Sequence, residues 1–258
     1  MGKRKDTTNR RTSMKDLTWI KTRLIAHRGL HAADGTVPEN TMAAFAAAID
    51  RGYGIEMDVN ALKDGTVVVF HDKNLERLCG DPRRLVDVTL PEIRDLRILG
   101  TEERIPTLPE VLAFVAGRVP LLIELKPFGP YKPLCEWFMR DMEGYAGPWA
   151  MHSFHPGAVN WFRDTHPEVI RGQISEFFED DKAMNPFVKF AMKHLLFNLV
   201  TRPDYVNYGV HDMPNRICDR IQKRGTVVIG YAARSQEQLD MMRSRYSNAV
   251  FEFFIPKP

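Results

Sequence analysis

In residues 51–72, RGYGIEMDVNALKDGTVVVFHD, Glu56 and Asp58 alternate inside an apolar run, and a second apolar run ends on His71. Side chains two apart on a strand share one face. Two carboxylates on a buried face repel each other unless a cation or a proton stands between them. The alternation recurs in LLIELKP, with Glu124 and Lys126, and the run LIAHRG ends on His27, Arg28 and Gly29. Three carboxylates offer oxygen alone, the donor set of a hard divalent cation such as Mg2+ or Ca2+, with Mn2+ also admissible, rather than of zinc. Arg28 and Lys126 supply positive charge for an anion, Arg28 as a two-pronged clamp on phosphate. Two histidines beside such a cation suit phosphoester cleavage. One takes the proton of the attacking oxygen and the other protonates the leaving oxygen, while the cation offsets charge on the phosphate oxygens.

Those residues need elements to bring them together. Strand-like runs fall at 24–26, 55–59, 67–70, 121–125, 150–154, 169–174, 205–207, 227–231 and 249–253. Helical patterns lie between them at 39–50, 90–99, 108–116, 132–142, 156–164, 182–200, 215–223 and 236–244. The sequences TLPEI and TLPEV each read as a helix start, with threonine at the cap, proline in the first turn and glutamate favoured by the dipole. Alternating strands and helices imply parallel βα units. Residues 60–66 are too few for a parallel crossover, so 67–70 must return antiparallel from 55–59, turned by Asp64-Gly65 as a two-residue hairpin. Eight strands remain, which gives an α/β fold: a (β/α)8 TIM barrel with a β-hairpin arm after the second barrel strand. In the two-residue register Asp58 stands directly opposite His71, with Cβ atoms about 4.5 to 5.5 Å apart. Barrels of this type carry their reactive groups at the C-terminal ends of the strands, where Tyr231 also falls as a candidate for the substrate pocket. His31, His152, His155 and His211 read as structural histidines, with His211 placed to line the mouth.

The chain has 258 residues, 44% hydrophobic, and a formal charge of +3. Residues 1–16 contribute +4 through Lys3, Arg4, Lys5, Arg10, Arg11 and Lys15 against Asp6 and Asp16, so the remainder is near −1. That balance excludes a basic nucleic-acid platform. Residues 1–21 are expected to form a basic, disordered tail, and 22–258 a single barrel domain. The tail has no apolar core of a secretory signal. Cys79, Cys135 and Cys218 are far apart, odd in number and in no CxxC spacing, which argues against a disulfide framework and a zinc site and makes a reducing cytoplasm the default expectation. In FVKFAMKHLLFNLV (187–200), Val188, Ala191, Met192, Leu195, Leu196 and Leu199 form a helical stripe, which Phe187, Phe190 and Phe197 widen. The segment reads as a core helix, or as a lipid-facing surface with Lys189 and Lys193 at headgroup level. Together with the basic tail it offers a route to peripheral membrane contact. Nothing in the sequence fixes the oligomeric state.

The motifs AHRG, PENTMAAFAAAIDRGYGIEMDV, KDGTVVVFHDKNLERLCG, IPTLPEVL and LIELK occur in that order. From about Ile25 to Lys126 the chain resembles the glycerophosphodiester phosphodiesterase family. The resemblance implies a phospholipase-C-like (β/α)8 barrel that hydrolyses glycerophosphodiesters to an alcohol and sn-glycerol 3-phosphate with a divalent metal. It implies acid–base roles for His27 and His71, metal ligation by Glu56, Asp58 and Glu124, phosphate contact by Arg28 and Lys126, and a place near the site for Asn40. The second half departs from the family pattern. HSFHP (152–156) is similar to the family's Ser-Phe strand end, but YAAR (231–234) keeps only the aromatic of the usual aromatic-Thr-Val-Asn, and NAVFEF replaces the terminal acidic-Gly pattern. These departures touch the substrate side, so a lysophospholipase D acting on lysophospholipids is the rival activity. A non-catalytic lipid-binding barrel is the rival from another class, and would leave two histidines and three carboxylates without a use. A metal-dependent aldolase barrel would leave the histidines unexplained.

Overall fold

The structure is a computed structural model that describes residues 15–257. Nine strands are present: β1 (Ile25–Ala26), β2 (Gly54–Ala61), β3 (Val67–Val69), β4 (Leu121–Leu125), β5 (Trp149–Ser153), β6 (Arg171–Ser175), β7 (Tyr205–Gly209), β8 (Val227–Ala233) and β9 (Asn248–Phe251). β1 pairs in parallel with both β2 and β9, and β2, β4, β5, β6, β7, β8 and β9 pair in parallel in that order. The ring therefore closes on eight strands, with β3 outside it and antiparallel to the last residues of β2. This is the expected barrel and arm.

The hairpin turn differs from expectation by one residue. Val59 pairs with Val69, Asn60 with Val68 and Ala61 with Val67, and the Leu62 amide donates to the Thr66 carbonyl. The loop is thus three residues, Lys63–Asp64–Gly65, closed by the Gly65 amide on the Leu62 carbonyl. Gly65 takes the left-handed conformation (φ +81°) that such a loop requires. The extra residue slides the register, so Phe70, not His71, lies opposite Asp58 and donates its amide to the Asp58 carbonyl at 2.9 Å.

β2 sorts its side chains cleanly. Met57 and Val59 face outward into a core shared with Val67 and Val69 of the arm and with the helices Leu108–Val115 and Tyr131–Met142. Glu56, Asp58 and Asn60 alternate with them and are also buried. Beyond the arm, Leu62, Phe70, Leu75, Leu78, Leu85, Ile93 and Ile98 make a small separate core. It anchors the excursion that carries His71. The two threonine–proline–glutamate starts are full capping boxes, Thr89 with Glu92 and Thr107 with Glu110.

Two helical boundaries are corrected. The segment expected as one helix over 90–99 is helical only over Leu90–Ile93. The segment 182–200 splits into the helices Pro186–Lys193 and Asn198–Thr201, with Leu195 left-handed between them (φ 56°). The first begins at Asn185, whose side chain accepts from the amides of Phe187 and Val188. Its end is set from outside, because Ser175 Oγ and Tyr208 Oη donate to the carbonyls of Met192 and Lys193.

Most of the expected tail lies outside the described residues. The part that is described is folded. The helix Thr18–Thr22 inserts the fully buried Ile20 among Ile25, Leu122, Ala150, Tyr205, Ile229 and Val250, closing the floor of the barrel. Lys15 Nζ bonds Asp204 at 2.8 Å and the Val169 carbonyl at 2.7 Å. The folded domain therefore begins by Lys15 rather than at residue 22. No helix among the described residues is long and apolar enough to cross a membrane.

Candidate active site

The register of the parallel strands brings the acidic residues together. Asp58 on β2 is level with Glu124 on β4, and Glu124 is level with His152 on β5. Ligand oxygens of Glu56, Asp58 and Glu124 lie within 4.8 Å of one another, all buried. Burial and the adjacent Asp58 charge raise the Glu56 pKa above the ordinary carboxylate range. Burial would also raise Asp58, but Lys126, His71 and Arg28 outweigh it and hold that carboxyl low. Asp58 Oδ1 is buried with no hydrogen-bond partner, and Lys126 Nζ stands 3.6 Å away. An unsatisfied carboxylate oxygen facing two further carboxylates is a donor set that fits a hard divalent cation. A second group, His27, His31 and Glu252, also has the residue types for a metal. Its His27–Glu252 contact is already a 2.6 Å hydrogen bond, which leaves the carboxylate trio the better fit.

The cations stand around that trio. Lys126, just past the end of β4, bonds Glu124 Oε1 at 2.9 Å. Burial opposes its charge, but Glu124 and Asp58 more than compensate and raise its pKa. Arg28 Nη1 bonds Glu39 at 2.7 Å, its Nε lies 3.3 Å from Asp58 Oδ2, and its amide donates to Glu56 Oε2. Arg28 and Asn40 are both left-handed (φ 53° and 57°), and the Asn40 amide donates to the Arg28 carbonyl at 2.9 Å. Backbone held this way costs on the order of 1–3 kcal/mol for a residue such as arginine. In return the Asn40 side chain grips Asp58 at both ends, Nδ2 donating to Oδ2 at 2.9 Å and Oδ1 accepting from the Asp58 amide at 3.3 Å.

Each predicted histidine is backed by a carboxylate. His27 Nδ1 meets Glu252 Oε2 at 2.6 Å, and its Nε2 points toward Glu56 at 3.8 Å. His71 Nδ1 meets Asp72 Oδ1 at 2.7 Å. Burial would raise the carboxyls of Glu252 and Asp72, but their hydrogen bonds to histidine and arginine hold both well below the usual range. Arg77 bonds both Asp72 and Glu39, and Glu39 bonds Arg28, so one ionic chain joins His71 to Arg28. Although the register places Phe70 opposite Asp58, His71 remains close enough for its charge to act on Asp58.

Tyr231 lies across the mouth, donating to Glu176 Oε2 at 2.7 Å and meeting the Phe154 ring edge-on at 5.7 Å. Burial and Glu176 push its phenol well up. The structure thus groups His27, Arg28, Asn40, Glu56, Asp58, Glu124 and Lys126 tightly, with His71 joined to them through the Asp72–Arg77–Glu39 chain and Tyr231 on the far wall.

Sequence reasoning passed over Glu39, Asp72, Glu252 and His152. His152, read as structural, places Nε2 3.5 Å from Glu56 Oε1 without a hydrogen-bond partner, and burial lowers its pKa to about 4. It thus adds a neutral imidazole to the carboxylate cluster. Glu252 and His152 carried the signal used for Glu56, a polar residue inside an apolar run near a strand end. His211 is mostly exposed, 3.6 Å from Glu176.

Residues 27–252 match the glycerophosphoryl diester phosphodiesterase family. Among curated proteins, the chain is 42% identical over 117 residues to a glycerophosphodiester phosphodiesterase of Caldanaerobacter subterraneus subsp. tengcongensis, covering 42% of this chain and 46% of that protein. It is 38% identical over 160 residues to a glycerophosphodiester phosphodiesterase of Bacillus altitudinis, covering 57% and 64%. The matched stretches thus span about half to under two thirds of those relatives. Among solved structures, a phosphodiesterase of Oleispira antarctica in complex with the product sn-glycerol-3-phosphate superposes with a TM-score of 0.76 at 22% identity, covering 91% of this chain and 94% of that one. A glycerophosphodiester phosphodiesterase structure from Agrobacterium tumefaciens gives 0.65 at 21%, covering 90% and 96%. These two likenesses establish the fold.

Proposed function

The chain belongs to the glycerophosphoryl diester phosphodiesterase family, and we propose that it hydrolyses glycerophosphodiesters to an alcohol and sn-glycerol 3-phosphate, using a divalent cation and a histidine pair. The observation that carries this reading is the buried trio Glu56, Asp58 and Glu124 with an unsatisfied Asp58 oxygen, accompanied by two histidines each backed by a carboxylate.

A cation held by the three carboxylates would offset the negative charge that builds on the phosphate oxygens. The chain's own residues do the rest. Arg28 and Lys126 attract and orient the phosphate, and Glu39, Asp58 and Glu124 keep both side chains at the mouth. Because Nδ1 of each histidine is engaged by a carboxylate, Nε2 is the atom left to exchange a proton. One Nε2 takes the proton of a glycerol hydroxyl as its oxygen bonds phosphorus. The other gives a proton to the alcohol oxygen as its bond to phosphorus breaks. Water then opens the cyclic ester with the two roles exchanged, and each histidine regains its starting state. Glu252 and Asp72 position the rings and balance the charge of whichever imidazole is protonated.

A panel of glycerophosphodiesters assayed after EDTA, then with Mg2+, Ca2+ or Mn2+ restored, tests the reading. Activity should vanish and return, and His27→Ala and His71→Ala should each lower kcat by about 10²–10⁴-fold. Failure of every cation to restore turnover of any diester would overturn it.

A further inference from the structure

We propose that the substrate carries one long hydrocarbon chain, and that the enzyme takes it from a lipid surface against which residues 187–200 rest. This rests on the diesterase reading above and narrows its substrate class.

A groove of about 410 Å³ begins at Glu124 and Lys126 and continues between Phe154, Phe178, Val188 and Met192. Its inner end is the phosphate and cation site, and its outer walls are apolar. A glycerol or choline group would leave those walls wet, whereas each methylene buried there strengthens binding about fourfold. Nine large apolar side chains are exposed among the described residues, and six of them fall between Phe187 and Val200. Phe187 and Leu199 are 75% and 79% exposed. The inner side of the same segment, Ala191, Met192 and Leu195, is buried, so the helix is anchored while its other flank faces outward.

Groove and patch are continuous, because Val188 lines the first and is 39% exposed in the second. Lys189 and Lys193 border the patch, the first drawn to the Asp181 carbonyl and the second over the Phe177 ring at 3.7 Å. Apolar side chains edged by lysine suit the acyl and phosphate layers of a lipid surface. Continuity with the reaction centre selects that occupant over a second copy of the chain, which would cover the groove's outer end. On lysophosphatidylcholine the free glycerol hydroxyl oxygen bonds phosphorus as the bond to the choline oxygen breaks, and choline leaves with the proton given by the acid histidine. Water then opens the cyclic ester, its OH staying on phosphorus and its proton returning to the glycerol oxygen.

The full chain should co-sediment with phosphatidylcholine vesicles doped with lysophosphatidylcholine. Its kcat/KM on lysophosphatidylcholine should exceed that on glycerophosphocholine by about tenfold or more. The triple variant F187S/F190S/L199S, altered only at exposed positions, should lose vesicle binding and turnover of vesicle-borne lysolipid about tenfold. Its turnover of soluble glycerophosphocholine should stay within about twofold. Val188→Trp should erase the lysolipid preference in detergent-free monomeric substrate. The proposal is overturned if glycerophosphocholine is cleaved with no preference for the lysolipid, or if the protein ignores vesicles. It is equally overturned if the triple variant abolishes self-association, which would assign the patch to a second copy. Cleavage of neither diester with any cation would instead remove the diesterase reading itself.

Discussion

In the proposed acid–base pair each histidine is backed by a carboxylate. Glu252 and Asp72 hold Nδ1 of His27 and His71 at 2.6 and 2.7 Å, which fixes the nitrogen that faces the mouth. Replacing a carboxylate by an amide keeps the shape but removes the charge that stabilises imidazolium. The E252Q variant should therefore lose about a hundredfold or more in kcat while KM moves only a few-fold. Steady-state kinetics with a soluble diester reads this, and an unchanged kcat would strip Glu252 of its positioning role. The partners were unequally legible. Asp72 adjoins His71 in sequence, but Glu252 lies 225 positions from His27 and only barrel closure makes them neighbours. Glu56, Asp58 and Glu124 could be read because each interrupts an apolar run, a local pattern. His152 interrupts one too, yet a single histidine in a strand is more often structural than functional, and only the register with Glu124 reveals its place.

Connection length was enough to predict the arm, but turn chemistry decided its register. Asp64-Gly65 suits a two-residue turn, whereas Lys63–Gly65 forms a three-residue loop with the glycine in the left-handed region. Hydrophobic alternation cannot distinguish the two, because Val67, Val68, Val69 and Phe70 are apolar on both faces and all buried. The slip moves His71 out of direct opposition to Asp58, and the satellite core then carries it back toward the site. A similar limit applied to 182–200, where the helix ends because Ser175 and Tyr208, distant in sequence, take its last carbonyls. Gly65→Ala should expose the hairpin's dependence on its turn. Its φ is +81°, and a Cβ would approach the Trp137 ring to 2.9 Å. Urea unfolding should show a loss of about 1–3 kcal/mol, with kcat falling beyond what the unfolded fraction explains, since the arm delivers His71. Thr107→Ala, which removes the N-cap of the helix Leu108–Val115, should cost about 1 kcal/mol in the same unfolding assay.

At the scale of the whole molecule, closure of the barrel makes one site out of residues 27 to 252. Counting strands and connections was sufficient to see that closure, because each βα step is a local pattern and only one ring of eight satisfies them all. The floor was not visible in this way. Ile20 sits in a five-residue helix beside a basic stretch, too short to show a periodic apolar face, and its burial depends on six residues from six different strands. Ile20→Ala should therefore cost about 2–5 kcal/mol in urea unfolding, where a disordered tail would show no change. The opposite end of the barrel is destabilised by design of its chemistry. Three carboxylates share a dry mouth, and Lys126 and Arg28 neutralise them only in part. A cation that binds the native chain and not the unfolded one stabilises it by about 2.7 kcal/mol when its concentration is a hundred times Kd. The Tm of the EDTA-treated protein should accordingly rise with Mg2+, Ca2+ or Mn2+, in proportion to the logarithm of concentration once above Kd. Asp58→Asn should flatten that dependence, because an amide removes the charge and the unsatisfied oxygen together. In EDTA the same variant should be less stable than the parent, because Lys126 and Arg28 lose the charge that holds the Asp58 carboxyl low, so the comparison rests on the slope with cation. A Tm in the D58N variant that still climbs with cation as in the parent would place the ion elsewhere, whatever the activity assay showed.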